Sequence, residues 1–124
     1  METRRTIMEK AIKIRARRQW GYYQVLYSDS HCKIKILSIC PDKNISYQYH
    51  QNREEYWTIL QGNGKIIING KIHFLAVGNK IKIDKKQKHS IKNVGNEDLI
   101  IHEVQLGESF DESDIVRETL PDTL

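Results

Sequence analysis

Residues 46–57 read SYQYHQNREEYW. In an extended strand, residues two apart share a face. Ser46, Gln48 and His50 therefore point one way, and Tyr47 and Tyr49 the other. A short polar turn, Gln51-Asn52-Arg53, follows, and Glu55 starts the next strand. Antiparallel return of the chain can bring Glu55 back beside His50. Much further along, His89 opens another strand behind the turn KKQK at 85–88. Two imidazoles, a carboxylate and an amide oxygen make a set suited to a divalent first-row metal. Spacing alone is a weak signal, because a single histidine on a strand is more often structural or exposed. His31, His73 and His102 read that way.

The surroundings of this stretch set the fold class. From Tyr22 onward the chain is a succession of short apolar or alternating runs, at 22–28, 33–40, 45–50, 54–60, 64–69, 71–77, 79–84, 89–94 and 98–105. Polar, glycine-containing breaks separate most of them. Asn69-Gly70, between GKIII and KIHFL, is a two-residue hairpin signal, since both residues tolerate positive φ. Nine such runs, with few helix signals between them, predict an all-β antiparallel sandwich or barrel. The segment after Gly107 is expected to form a short helix or an extended arm.

A chain of 124 residues supports one domain with a modest core. The net charge of +4 is unevenly spread: residues 1–18 carry seven lysines and arginines against Glu2 and Glu9, so the remainder sums to −1. A basic arm of this kind can touch nucleic acid or anionic lipid. No aromatic stacking residues or base-reading motif accompany it, which favours an amphipathic helical arm packing Ile7, Met8, Ala11, Ile12 and Ile14. Neither a nucleic-acid nor a membrane partner is expected. No run approaches the roughly 20 apolar residues of a membrane span, and no apolar signal core follows the basic start. The expectation is a soluble, cytoplasmic protein. Cys32 and Cys40, eight residues apart on one predicted strand, would lie roughly 26 Å apart and read as free thiols.

The flanking residues sharpen the metal reading. The sequence resembles the cupin superfamily, whose first motif places His-x-His, then Glu, then Gly at fixed spacing. Here Gln48-x-His50, four residues, Glu55, six residues and Gly62 fit it, with glutamine in the first histidine place. Gly78, His89 and Asn93 hold places of the second motif, while Asp84 and Lys86 stand where that motif has proline and glycine. A nearer resemblance, over roughly residues 17–117, is to the C-terminal domain of the bifunctional mannose-1-phosphate guanylyltransferase/phosphomannose isomerase family, the type II mannose-6-phosphate isomerases. Arg18-Gln19-Trp20-Gly21-Tyr22-Tyr23 is similar to its opening motif, and Lys35 matches a lysine before motif one. Ser46, Gln48, His50, Arg53, Glu55 and Trp57 match its central motif, so Gln48 is that family's own residue. Glu103-Val104-Gln105-Leu106-Gly107 and Ser113-Asp114-Ile115-Val116-Arg117 match its end. Tyr56 replaces a histidine, the Pro-x-Gly turn is absent, and Leu-Pro-Asp-Thr-Leu stands in place of a terminal Tyr-Gly-Arg. The nucleotidyltransferase half has no counterpart here, so GDP-mannose synthesis is not implied.

The resemblance implies a cupin jelly-roll barrel over 17–118, between a basic arm at 1–16 and a tail at 119–124. It implies metal ligation by Gln48, His50, Glu55 and His89, with zinc expected and iron, manganese, cobalt or nickel as alternatives. It also implies interconversion of mannose 6-phosphate and fructose 6-phosphate through an enediol. Glu103 and Gln105 share one strand face; placed inside the barrel, Glu103 is a candidate base and Gln105 orients a hydroxyl. Lys35 either faces the pocket as an acid–base group or anion contact, or snorkels along the surface. Arg53 and Arg117 are candidate phosphate ligands, because guanidinium matches phosphate bidentately, and each is equally open to an ion pair with Glu54 or Asp114. A non-catalytic sugar- or metal-binding cupin and an iron-dependent oxygenase are the competing readings; a fourth protein ligand, Gln48, counts against the oxygenase. Exposed sheet edges favour a homodimer.

Overall fold

The computed structural model describes residues 15–119. The expected arm helix over 1–14 and tail residues 120–124 lie outside the described residues. The elements are β1 (Arg15–Arg18), β2 (Gly21–Ser28), β3 (Cys32–Ile39), β4 (Gln48–Tyr49), β5 (Arg53–Gln61), β6 (Gly64–Ile68), β7 (Lys71–Leu75), β8 (Lys80–Ile83), β9 (His89–Asn93), β10 (Leu99–Gly107) and β11 (Val116–Arg117), with one 3₁₀ turn at Glu112–Asp114. They form two antiparallel sheets, in the orders β1-β2-β3-β10-β5-β8 and β11-β4-β9-β6-β7. This is the all-β antiparallel architecture that the alternation predicts, in the jelly-roll form that the resemblance implies.

The two sheets face each other across an isoleucine-rich core. Leu37, Ile39, Trp57, Ile59, Ile83, Leu99 and Ile101 come from the first sheet, and Ile66, Ile68 and Ile91 from the second, with Ile45 from the loop before β4. Every second residue of β5 and β10 is buried, the period expected of strands with one face in a core. The β6–β7 hairpin turns at Asn69 (φ 48°) and Gly70 (φ 78°), both in the left-handed region as expected.

Three local expectations need correction. Arg15 and Ala16, assigned to a helical arm, belong to β1, whose backbone pairs with Gln24 and Tyr23 of β2 along the sheet edge. The segment after Gly107 is neither a lone helix nor a free arm: β11 pairs Val116 with Tyr49 and Arg117 with Gln48. Finally, His50 and Glu55 are not brought together by strand pairing. β4 and β5 belong to opposite sheets, so the turn at 51–52 carries the chain across the barrel. Gly107 makes that crossing feasible: a Cβ there would stand 2.2 Å from the Asn52 carbonyl oxygen. Cys32 and Cys40 are free, as their spacing requires. No helix among the described residues is long and apolar enough to cross a membrane.

Candidate metal centre

At one end of the core the inward face changes from isoleucine to ionisable side chains. The first sheet contributes Lys35 from β3, Arg53, Glu55 and Trp57 from β5, and Glu103 and Gln105 from β10. The second contributes Gln48 from β4, His50 just beyond it, and His89 from β9. All of them are buried except Gln48, which is half-buried.

Strand register explains which groups touch. Gln105 lies opposite Glu55, and Glu103 opposite both Trp57 and Lys35. Gln105 Nε2 accordingly donates to Glu55 Oε2 (3.2 Å) and to Glu103 Oε1 (2.7 Å), and Trp57 Nε1 donates to Glu103 Oε2 (2.9 Å). Gln48 is paired with His89, which sets the amide beside that ring across the sheet.

Both histidines are oriented from behind. His50 Nδ1 lies 3.0 Å from the Asp114 carbonyl oxygen and His89 Nδ1 2.9 Å from that of Gln87. A carbonyl only accepts, so each Nδ1 carries the proton and each Nε2 presents a lone pair inward. Asp114 also clamps the turn: its carboxylate accepts from the backbone N–H groups of Gln51 (3.0 Å) and Asn52 (2.9 Å). The two Nε2 atoms each stand 3.6 Å from an oxygen of Glu55. Burial pushes His50 down to about 4, so the ring is neutral at physiological pH. Burial by itself would raise the Glu55 carboxyl, but it is held below the usual carboxylate range; with both facing imidazole nitrogens unprotonated, the positive charge that does this is Arg53, whose Nε donates to Oε2.

These residues fit a metal. Ligand atoms of His50, Glu55 and His89 all lie within 4.8 Å of one another. Separations of 3.6 Å suit a shared ion with bonds of about 2.1 Å. His89 Nε2 is buried without a hydrogen-bond partner, a cost of about 1–3 kcal/mol that coordination would remove. Arg53 competes for part of this set: Nη2 sits 3.3 Å from His50 Nε2, and Nε donates to Glu55 Oε2 at 3.3 Å.

Glu103 lies beside this cluster in a different state. Burial, reinforced by the charge of Glu55, raises its carboxyl to about 7, against a lesser lowering by Lys35. Lys35 is buried, with its ammonium 4.3 Å from the Tyr23 ring centroid, and burial lowers its pKa. Of the two readings of Lys35, the structure gives the pocket.

The arginines part company. Arg53 is buried on Glu55 and His50, far from the surface pairing with Glu54 or Asp114 that its sequence allowed. Arg117 is exposed at the mouth and lines the cavity with the others. Tyr56 points outward, its hydroxyl donating to Glu54 (3.0 Å), so its replacement of histidine leaves the interior untouched. Where the Pro-x-Gly turn is absent, Lys86 adopts a left-handed conformation (φ 64°), and its N–H donates to the His50 carbonyl (2.6 Å). Asn93 is structural; its side chain bonds Ile39 O, Glu97 O and Gly95 N. Of the remaining histidines, His31 and His73 are exposed and His102 lies on the opposite face of β10 from Glu103. Sequence reasoning assigned no role to Trp57 or to the Asp114 clamp. Trp57 was findable, being two residues from Glu55 on the same strand face; Asp114 carries no local signal, since its partners lie more than 60 residues away.

The profile of the family described as "Mannose-6-phosphate isomerase C-terminal" matches residues 5–119. Among curated proteins, the mannose-1-phosphate guanylyltransferase ManC of Salmonella typhimurium is 30% identical over 100 residues, covering 81% of this chain and 21% of that protein. The mannose-1-phosphate guanylyltransferase of Salmonella montevideo is 34% identical over the same shares. The chain thus spans about a fifth of the length of these relatives. Among solved structures, a Klebsiella pneumoniae protein with a double-stranded beta-helix domain superposes with a TM-score of 0.74 at 16% identity, over 94% of this chain and 96% of that one. Oxalate decarboxylase from Lactobacillus farciminis gives 0.75 at 20% identity, over 89% and 34%. At these identities the structural likeness shows the fold.

Proposed function

The chain belongs to the mannose-6-phosphate isomerase C-terminal family, and from that premise we propose that it is a metal-dependent aldose–ketose isomerase acting on mannose 6-phosphate and fructose 6-phosphate. One observation carries the reading. A pair of inward-facing imidazole lone pairs and the ionised Glu55 share a small chamber with a second carboxyl, Glu103, raised to about 7. Paired carboxyls held in opposite protonation tendencies suit a site that both binds a cation and moves a proton.

Isomerisation moves a proton between C1 and C2 through an enediol. His50, Glu55 and His89, with Gln48 beside them, would hold a divalent ion, zinc in this reading. Such an ion supplies charge stabilisation to the developing sugar oxyanion. Glu103 takes the C2 proton on a carboxylate oxygen and returns it to C1. A carboxyl near 7 is placed for this work at neutral pH, where a positioned base contributes about 10²- to 10⁴-fold. Trp57 and Gln105 fix the two oxygens of that carboxylate. Gln105 Oε1, buried and unpaired, is available to accept from a sugar hydroxyl. Lys35 adds a positive charge beside Glu103 across the β3–β10 pair. Two copies are proposed to pair through a sheet edge; β7, with Ile72 and Phe74 exposed, supports that.

Metal analysis of the purified protein, with a coupled assay for fructose 6-phosphate, tests the proposal. Metal together with turnover is expected. Metal without turnover leaves a binding module, and iron with oxygen uptake replaces the isomerase by an oxygenase.

A further inference from the structure

Lys35 and Glu103 face each other without pairing. They are register partners on β3 and β10, both inward and both buried. Directly opposed residues have Cβ atoms about 4.5–5.5 Å apart, within reach of a lysine and a glutamate. Buried charges ordinarily pair with their opposites. Here the Glu103 oxygens accept instead from Trp57 Nε1 (2.9 Å) and Gln105 Nε2 (2.7 Å), and the Lys35 ammonium lies 4.3 Å from the centroid of the Tyr23 ring.

Tyr23 reaches Lys35 diagonally. On β2 it stands opposite Leu37, two residues along β3 from Lys35, while Val25 takes the place opposite Lys35 itself. A diagonal neighbour of this kind is within reach of an aromatic ring and a long side chain. The ring is held from two sides. It packs on the apolar cluster, and its hydroxyl accepts from Arg18 Nη2 at 3.3 Å. The Arg18 guanidinium carbon lies 5.1 Å from the ring centroid, so a single ring attracts two cations. The other charges near the pair are Lys33 on β3 and Arg53 and Glu55 on β5. Arg53 is held on Glu55 and His50, which leaves Lys35 as the cation opposite Glu103. The raised carboxyl of Glu103 agrees with that cation standing off: burial and Glu55 outweigh the lowering by Lys35.

We propose that Tyr23 is a positioning residue: its ring draws the Lys35 ammonium aside from Glu103, leaving the carboxylate to take the substrate proton and the ammonium to bond a sugar oxygen in the same chamber. Tyr23, Lys35 and Glu103 all line that chamber. An ammonium seated on a ring face keeps its N–H groups for other acceptors, whereas one seated on a carboxylate spends them there. A carboxylate closed into an ion pair is also a weaker base, because the opposite charge favours its ionised form. The ring carries this role and the hydroxyl does not. The catalytic consequence rests on the isomerase reading; the placement of Lys35 does not.

Kinetics of the metal-loaded full chain with mannose 6-phosphate, together with crystal structures of the same variants, test the assignment. Tyr23→Leu removes the ring. Its kcat is expected to fall at least about tenfold while KM changes less than about threefold, and Lys35 Nζ is expected within about 4 Å of a Glu103 oxygen. Tyr23→Phe keeps the ring and is expected to recover most of that kcat, with Lys35 still on the ring. In a Lys35→Met background, which has no ammonium to close on Glu103, adding Tyr23→Leu is expected to change kcat less than about twofold. If Tyr23→Leu does not fold, Tyr23→Met, closer in volume, takes its place with the same expectations. Equal loss in the Phe and Leu variants overturns the proposal, as does an ammonium that stays off Glu103 when the ring is gone. If the ammonium moves onto Glu103 but the unaltered protein forms no fructose 6-phosphate, the placement by Tyr23 stands and the isomerase reading falls. If the unaltered protein turns over and Tyr23→Leu keeps the same kcat, the proposal falls and the isomerase reading stands.

Discussion

The floor and the mouth of the barrel interior are built from the same strands and differ in almost every physical respect. On β10 the inward residues run Leu99, Ile101, Glu103, Gln105; on β5, read toward the mouth, Ile59, Trp57, Glu55, Arg53; on β3, Ile39, Leu37, Lys35; on β9, Ile91 then His89. Two residues along a strand separate a dry core from a cluster of charges. The buried polar group at the floor, Asn93, has all its bonds. At the mouth, His89 Nε2 and Gln105 Oε1 have none. The floor supplies stability through apolar burial at about 25 cal/mol per Å², and the mouth gives part of it up. Trp57 is the hinge of the comparison, its indole packed in the apolar cluster while Nε1 reaches Glu103. Unpaired buried groups at one end of an otherwise satisfied interior are where a ligand would act.

The largest effect expected is at the mouth. His50→Ala should lower metal affinity by more than about a hundredfold and abolish isomerisation with it. Metal content and turnover check this, and full turnover by the variant would break the metal assignment. The floor should respond in the opposite currency. Ile101→Ala is expected to cost about 2–5 kcal/mol in urea unfolding while the folded variant keeps its metal stoichiometry. Loss of metal at equal folded fraction would mean that the two ends are not separable.

Next in size is the clamp behind His50. Asp114→Ala should weaken metal binding by about 10- to 100-fold, since the turn at 51–52 loses both backbone contacts. An unchanged affinity would make Asp114 a loop anchor alone. Glu103 sharpens the comparison through pH. Its carboxyl is raised to about 7 from an ordinary 4.5, so the native protein holds a proton that the unfolded chain releases. That contribution is fully present below about 4.5 and is lost as pH rises through 7. Metal-free protein should therefore lose about 1–3 kcal/mol relative to Glu103→Gln between roughly pH 5 and 8. Parallel stability profiles for the two would show that Glu103 titrates as an ordinary exposed carboxyl. The smallest effect belongs to Lys86. Replacing this left-handed residue by glycine should stabilise the turn by up to about 1 kcal/mol with no change in metal affinity; a destabilised Lys86→Gly would mean that the Lys86 side chain contributes packing that its backbone strain conceals.

Much of this was legible in the residues alone. Period-two alternation gave the strands, Asn69-Gly70 gave a hairpin, and the spacing of Gln48, His50, Glu103 and Gln105 gave the sharing of faces. Those are local properties, fixed by backbone geometry over a few residues. Which sheet each face joins is not local. The return of Glu55 to His50 across the barrel, the burial of Arg53 against the exposure of Arg117, the choice of Lys35 for the pocket and the outward turn of Tyr56 depend on pairings between distant strands. So does the Asp114 clamp, which spans more than 60 residues of chain.

Residue order alone specifies an alternating β chain that carries the side chains of a metal site. That two histidines from one sheet and a glutamate from the other meet, with Arg53 inside and Arg117 at the rim, follows from how the sheets face each other. Strand periodicity states which side a residue faces, while the long-range register of sheets states what it faces.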